Sequence, residues 1–105
     1  EILPGITSVP TPGHTPGHQA FMIESAGNRM IHFVDAVFSI YISFGQPEWA
    51  LGFDADPEMA AESRRMIIGM AAEENIPVFG YHFSFPGTGY AAADGDAFRF
   101  IPSAF

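Results

Sequence analysis

Four histidines stand among the 105 residues, and neutral imidazole is the commonest side-chain ligand for metal ions. His14 sits inside Thr11-Pro12-Gly13-His14-Thr15-Pro16-Gly17-His18. Two prolines and two glycines in seven residues exclude regular structure and leave a stiff, tightly turned loop. Such a loop loses little entropy on ordering, so it can present a side chain at a defined angle. Asp35 follows the apolar run Ile31, His32, Phe33, Val34, and a carboxylate at the end of a buried strand is costly unless paired or coordinated. His82 closes a second apolar run that begins at Val78, and it precedes another restricted loop, Ser84-Phe85-Pro86-Gly87-Thr88-Gly89. Two imidazoles and one carboxylate thus fall at strand-to-loop junctions, where layered α/β folds commonly assemble their sites.

Each residue also has a plainer role open to it. His14 can be a turn residue, and Asp35 can cap the turn after its strand. His18 can serve only to fix the loop through hydrogen bonds. His32, between Ile31 and Phe33, reads as a packed core or sheet-face histidine. The aromatic stretch 38–53 fits core or interface more readily than a substrate pocket. Asp54, Asp56 and Glu73-Glu74 read as solvated helix-end charges, and Arg64-Arg65 as a helix-surface pair too small for a phosphate site.

The elements that must position these groups follow from local pattern. Strands are expected over residues 6–10, 19–24 and 30–34, the last two joined at the turn signal Ala26-Gly27-Asn28. The run 30–34 is apolar on both faces, as in a covered central strand. Residues 38–53, rich in aromatics and broken by Gly45 and Pro47, are expected to be irregular and partly exposed. Asp56 predicts an N-cap, with Pro57 at the first helical position and Glu58 complementing the helix dipole. Met59, Met66, Ile67 and Met70 predict an amphipathic helix through Ala72, stopped by Asn75 and Pro77. A short buried strand over 77–81 ends on His82, and residues 90–93 and 97–101 form a last hairpin around Asp94-Gly95. The order β, β, β, α, β, hairpin is a layered α/β unit.

Composition limits the rest. Twelve acidic residues against four arginines give a formal charge of −8, so there is no basic face for nucleic acid or for an anionic membrane surface. No apolar run is long enough to span a bilayer, and the first residues carry no targeting segment; the compartment stays unknown. With no cysteine, disulfides and thiolate metal sites are excluded. Length allows one domain at most. Yet 48% of residues are hydrophobic and eleven are phenylalanine, more apolar surface than so short a chain readily covers. The absence of an initiator Met raises the expectation that something lies upstream.

The eight-residue loop resembles the Pro-Gly-His-Thr-Pro-Gly-His loop of metallo-β-lactamase-fold hydrolases, and Asp35 and His82 follow in that family's order. Residues 82–89 and the closing Phe98-Arg99-Phe100-Ile101-Pro102 are most similar to the lactonase and methyl-parathion-hydrolase-like branch. The resemblance implies an α/β fold, the C-terminal half of the αββα sandwich, with residues 1–105 forming a single partial domain. It implies a dinuclear centre in which His14 binds the first metal, Asp35 bridges both as the catalytic carboxylate, and His82 binds the second. A bridging hydroxide would then attack an ester, lactone or phosphotriester. Two divalent ions are implied, zinc by default, with iron, cobalt or manganese also suited to such ligands. His18 would support a ligand from behind without binding metal. Phe38, Phe44 and Trp49 would line an apolar pocket for a small ester-like substrate.

The family's His-x-His-x-Asp-His motif has no counterpart here. Val34 stands where the family has glycine, and Phe38 stands near where the lactonase branch has tyrosine, Tyr41 lying three residues further on. The partner implied is therefore the missing N-terminal half, or a second copy of the chain forming a homodimer. In the second case the chain is a non-catalytic half-domain with weak or no metal binding.

Overall fold

The computed structural model describes residues 2–37, 39, 42–49, 54–80, 83 and 87–102. The chain forms β1 (Ile6–Pro10), β2 (Gln19–Ser25), β3 (Asn28–His32), α1 (Ile42–Gly45), α2 (Pro57–Glu74), β4 (Val78–Phe79), β5 (Thr88–Asp94) and β6 (Ala97–Pro102). Ala26 and Gly27, both at positive φ (52° and 81°), make the tight turn between β2 and β3. The sheet runs in sequence order, β1 to β6. Every pairing is antiparallel except β3 with β4, because α2 carries the chain across the sheet between those two strands.

Several local expectations change. The third strand ends at His32 and not at Val34: Val34 takes a left-handed backbone (φ 57°), and the Ala36 N–H closes a turn onto the Phe33 carbonyl at 3.2 Å. The strand expected over 77–81 is only Val78–Phe79, and Tyr81 lies outside the described residues. The segment 38–53, expected to be irregular, contains the short α1. The last hairpin is longer than expected at both ends.

Helix α2 starts as its sequence dictates. The Asp56 carboxylate accepts the Met59 N–H at 3.1 Å, Pro57 follows, and Asn75 closes the helix in left-handed backbone (φ 54°). Its buried face is not the methionine stripe. Met59 and Met66 are exposed, and the side facing inward is Ala60, Ser63, Arg64, Ile67, Ile68 and Ala71.

That face packs with Ala20, Met22, Ile31, Val78 and Ala91 from the sheet to form the core. Burial of each large aliphatic side chain contributes about 1.5–3 kcal/mol. Phe44 of α1 closes one end, its ring meeting Phe33, Phe83 and Phe100 edge-on at centroid distances of 6.1, 6.1 and 5.5 Å. On the opposite side of the sheet, the register pairs Ile6 with Ile23, Phe21 with His32, and Tyr90 with Ile101. Ile23 and Ile101 are exposed there, and Ile2 and Leu3 border the same surface.

Candidate metal centre

The loop holding His14 is fixed by its own backbone and by the start of α2. The Thr11 N–H donates to the His18 carbonyl (3.0 Å) and the Gly13 N–H to the Thr15 carbonyl (3.0 Å). The Asp56 N–H donates to the Gly13 carbonyl (2.7 Å) and the Ala55 N–H to the His14 carbonyl (3.1 Å). The Ser63 hydroxyl donates to the Pro12 carbonyl at 2.6 Å. Gly13 lies so close to the helix that a Cβ would stand 2.0 Å from the Ala60 backbone nitrogen, and its φ of +132° favours glycine.

From this loop the His14 ring faces two carboxylates. Its Nδ1 lies 2.9 Å from Asp54 Oδ1. A carboxylate only accepts, so Nδ1 carries the hydrogen, and in the neutral ring Nε2 is the electron-pair donor. Nε2 points at Asp35 Oδ2, 3.6 Å away, too far for a hydrogen bond. Two donors each about 2.1 Å from a tetrahedral zinc lie roughly 3.4 Å apart, so this pair matches two neighbouring ligand positions on one cation. Asp54 is on the other edge of the ring and cannot join them. Accordingly, among the described residues no group of three or more His, Asp or Glu side chains converges on an ion. His82, the remaining ligand expected from the sequence, lies outside the described residues.

Asp35 is positioned by two histidines. Its N–H donates to His18 Nε2 at 3.0 Å, so His18 bears its hydrogen on Nδ1, which meets the Thr11 hydroxyl at 2.8 Å. The preceding N–H, of Val34, points to His32 Nδ1 at 3.2 Å. Both rings must present a bare nitrogen to do this, hence be neutral. Burial pushes both imidazoles below the ordinary histidine value, with Asp35 opposing the shift in each. His32 also stacks edge-on against Phe79, centroids 4.7 Å apart, as expected of a sheet-face histidine.

Two residues were misplaced by sequence reasoning. Asp54, expected to be a solvated helix-end charge, has a side chain only 1% exposed. Arg64, expected on the helix surface, is equally buried and extends toward Asp54, Nη2 to Oδ2 3.6 Å. Its Nε donates to the Ala36 carbonyl (2.9 Å), and its Nη1 to the carbonyls of Pro47 (2.8 Å) and Trp49 (3.2 Å). Burial lowers the guanidinium pKa and Asp54 raises it again. A usable signal was present: Ala60, Arg64, Ile67 and Ala71 lie at helical spacing, so Arg64 shares the phase of a buried stripe. Arg65, by contrast, is an outward residue paired with Glu48.

Of the expected pocket residues, Phe44 is fully buried among aromatic rings and Trp49 is 58% exposed; Phe38 lies outside the described residues. No helix of the described residues is long and apolar enough to cross a membrane.

Comparison with known proteins agrees with this architecture. No protein-family model matches the chain. An N-acyl homoserine lactonase of a Bacillus species is 32% identical over 82 residues, 77% of this chain and 32% of that protein. The dizinc quorum-quenching lactonase AidC, solved with a homoserine product, superposes with a TM-score of 0.94 at 28% identity, covering 100% of this chain and 36% of its own. AbOPH, a hydrolase of the β-lactamase superfamily, gives 0.92 at 32% identity over the same shares. The fold is therefore part of the metallo-β-lactamase α/β sandwich. The chain is homologous to lactonase-like members of the metallo-β-lactamase superfamily and spans about a third of the length of the relatives it matches.

Proposed function

We propose that these 105 residues are the C-terminal half of a dinuclear-metal hydrolase that cleaves an ester, lactone or phosphotriester bond. One observation carries this reading: His14, with Nδ1 committed to Asp54, aims Nε2 at the Asp35 carboxylate across a gap of cation size. His14 would hold the first metal, Asp35 both, and His82 the second. When bound, such cations act as Lewis acids on the bond under attack and bring the ionisation of water toward neutral pH. The chain's own part is to orient. His18 and His32 hold the Asp35 turn by its backbone, and Asp54 holds the His14 ring. Exposed Trp49, with Phe38 nearby in sequence, would offer apolar surface to a small ester-like substrate. Homology to lactonases, and the two zinc ions of AidC, support the assignment of class and metal. The apolar sheet face would be covered by the N-terminal half.

Zinc competition against a chromogenic chelator tests this. The expected result is zinc uptake that falls at least about tenfold in His14→Ala and in Asp35→Asn. Uptake indifferent to both substitutions would sink the proposal. The second reading, a non-catalytic half-domain that pairs with its own copy, is favoured by the apolar groove of about 370 Å³ lined by Ile2, Leu3, Ile6, Phe21, Ile23 and His32. A folded, metal-free dimer in light scattering would select it.

A further inference from the structure

We infer that Asp54 is a positioning residue for His14 and that Arg64 locks it there, so that a buried Arg64–Asp54–His14 chain decides which imidazole nitrogen is presented to Asp35 and to a bound cation; the cation in this statement rests on the metal-site proposal above, while the tautomer does not. The Asp54 carboxylate has nowhere to turn. Its side chain is 1% exposed, one oxygen lies 2.9 Å from His14 Nδ1 and the other 3.6 Å from Arg64 Nη2. An acceptor-only group at that distance forces the hydrogen of a neutral His14 onto Nδ1. Carboxylate–imidazole pairs of this kind fix the ring and raise the basicity of the outward nitrogen.

Arg64 adds a second function that a point charge cannot reproduce. Its planar fork spans Asp54, the Ala36 carbonyl and the carbonyls of Pro47 and Trp49. Ala36 adjoins Asp35. One guanidinium therefore sets the spacing between the two groups that face each other at 3.6 Å: it reaches His14 through Asp54, and Asp35 through its neighbour. Lysine has neither the fork nor the fixed angles.

Long-range proton–nitrogen NMR of the His14 ring in the full chain, at neutral pH and without metal, tests the assignment directly. The neutral ring is expected to show hydrogen on Nδ1 and a bare Nε2; a neutral ring with hydrogen on Nε2 alone overturns it with no variant needed. Asp54→Asn, whose amide can donate, is expected to shift His14 toward the Nε2–H form. Arg64→Lys, which keeps the charge, is expected to broaden or mix the two forms. In zinc titrations both variants should bind about 10–100-fold more weakly. A folded Asp54→Asn chain with an unchanged His14 spectrum overturns the inference. A chain that shows the Nδ1–H form, loses it in Asp54→Asn and takes up no zinc supports the positioning role while refuting the metal-site reading.

Discussion

Val34 occupies left-handed backbone immediately before Asp35, with its N–H turned onto His32. A β-branched residue there is strained by about 1–3 kcal/mol, whereas glycine adopts the same angles freely at a cost of roughly 0.5–1 kcal/mol in chain entropy. Val34→Gly is therefore expected to stabilise the chain by about 1 kcal/mol, read as a higher urea midpoint at unchanged slope; a lower midpoint would show that the valine side chain's packing outweighs the strain. At this scale the sequence is legible where chemistry leaves a local trace. His14 and Asp35 stand out as candidates because a stiff loop and a strand-ending carboxylate are unusual in themselves, and the structure brings their side chains to 3.6 Å. Asp54 and Arg64 do not stand out, because their meaning lies in contacts across ten and more residues, and an aspartate beside a helix start looks the same whether water or a buried guanidinium faces it.

Among the elements, the decisive junction is between the His14 loop and the first turns of α2. Two backbone N–H groups, one hydroxyl and one carboxylate of that region reach back to the loop. The residues around the helix start thus fix the loop that carries His14. Gly13→Ala would drive a methyl into the Ala60 backbone and is expected to cost about 3 kcal/mol or more, enough to unfold a marginal chain. Gly17→Ala has no atom within 4 Å of the added carbon and should change stability by less than about 1 kcal/mol. Equal thermal midpoints for the two variants would contradict the packed junction. Apart from the short α1, element type and order were readable from turns, caps and alternation. The buried face of α2 was read only in part: of Met59, Met66, Ile67 and Met70, Ile67 is fully buried, while Met59 and Met66 are exposed and Ala60, Ser63, Arg64, Ile68 and Ala71 complete the inward face. Small and polar residues pack against a loop that approaches closely, and hydropathy does not register that.

For the whole molecule, the sheet has one face sealed by helices and another bearing Ile6, Phe21, Ile23, Tyr90 and Ile101. An apolar face of this extent promotes association. Placing charges on it, as in Ile23→Lys with Ile101→Lys, is expected to reduce self-association in light scattering while leaving zinc uptake at the proposed His14–Asp35 site within about twofold. Loss of both together would tie the site to an assembled partner. The excess of phenylalanine over what a small core needs was visible from composition alone. Among the described residues, Phe33, Phe44, Phe83 and Phe100 form the aromatic cluster, and Phe21 lies on the second face.

Trp49, finally, is the chain's one tryptophan. The residue is 58% exposed while its carbonyl is held by Arg64. The protein thus carries an intrinsic optical reporter, unlabelled and spectrally isolated, whose emission follows the hydration of the segment that the guanidinium pins.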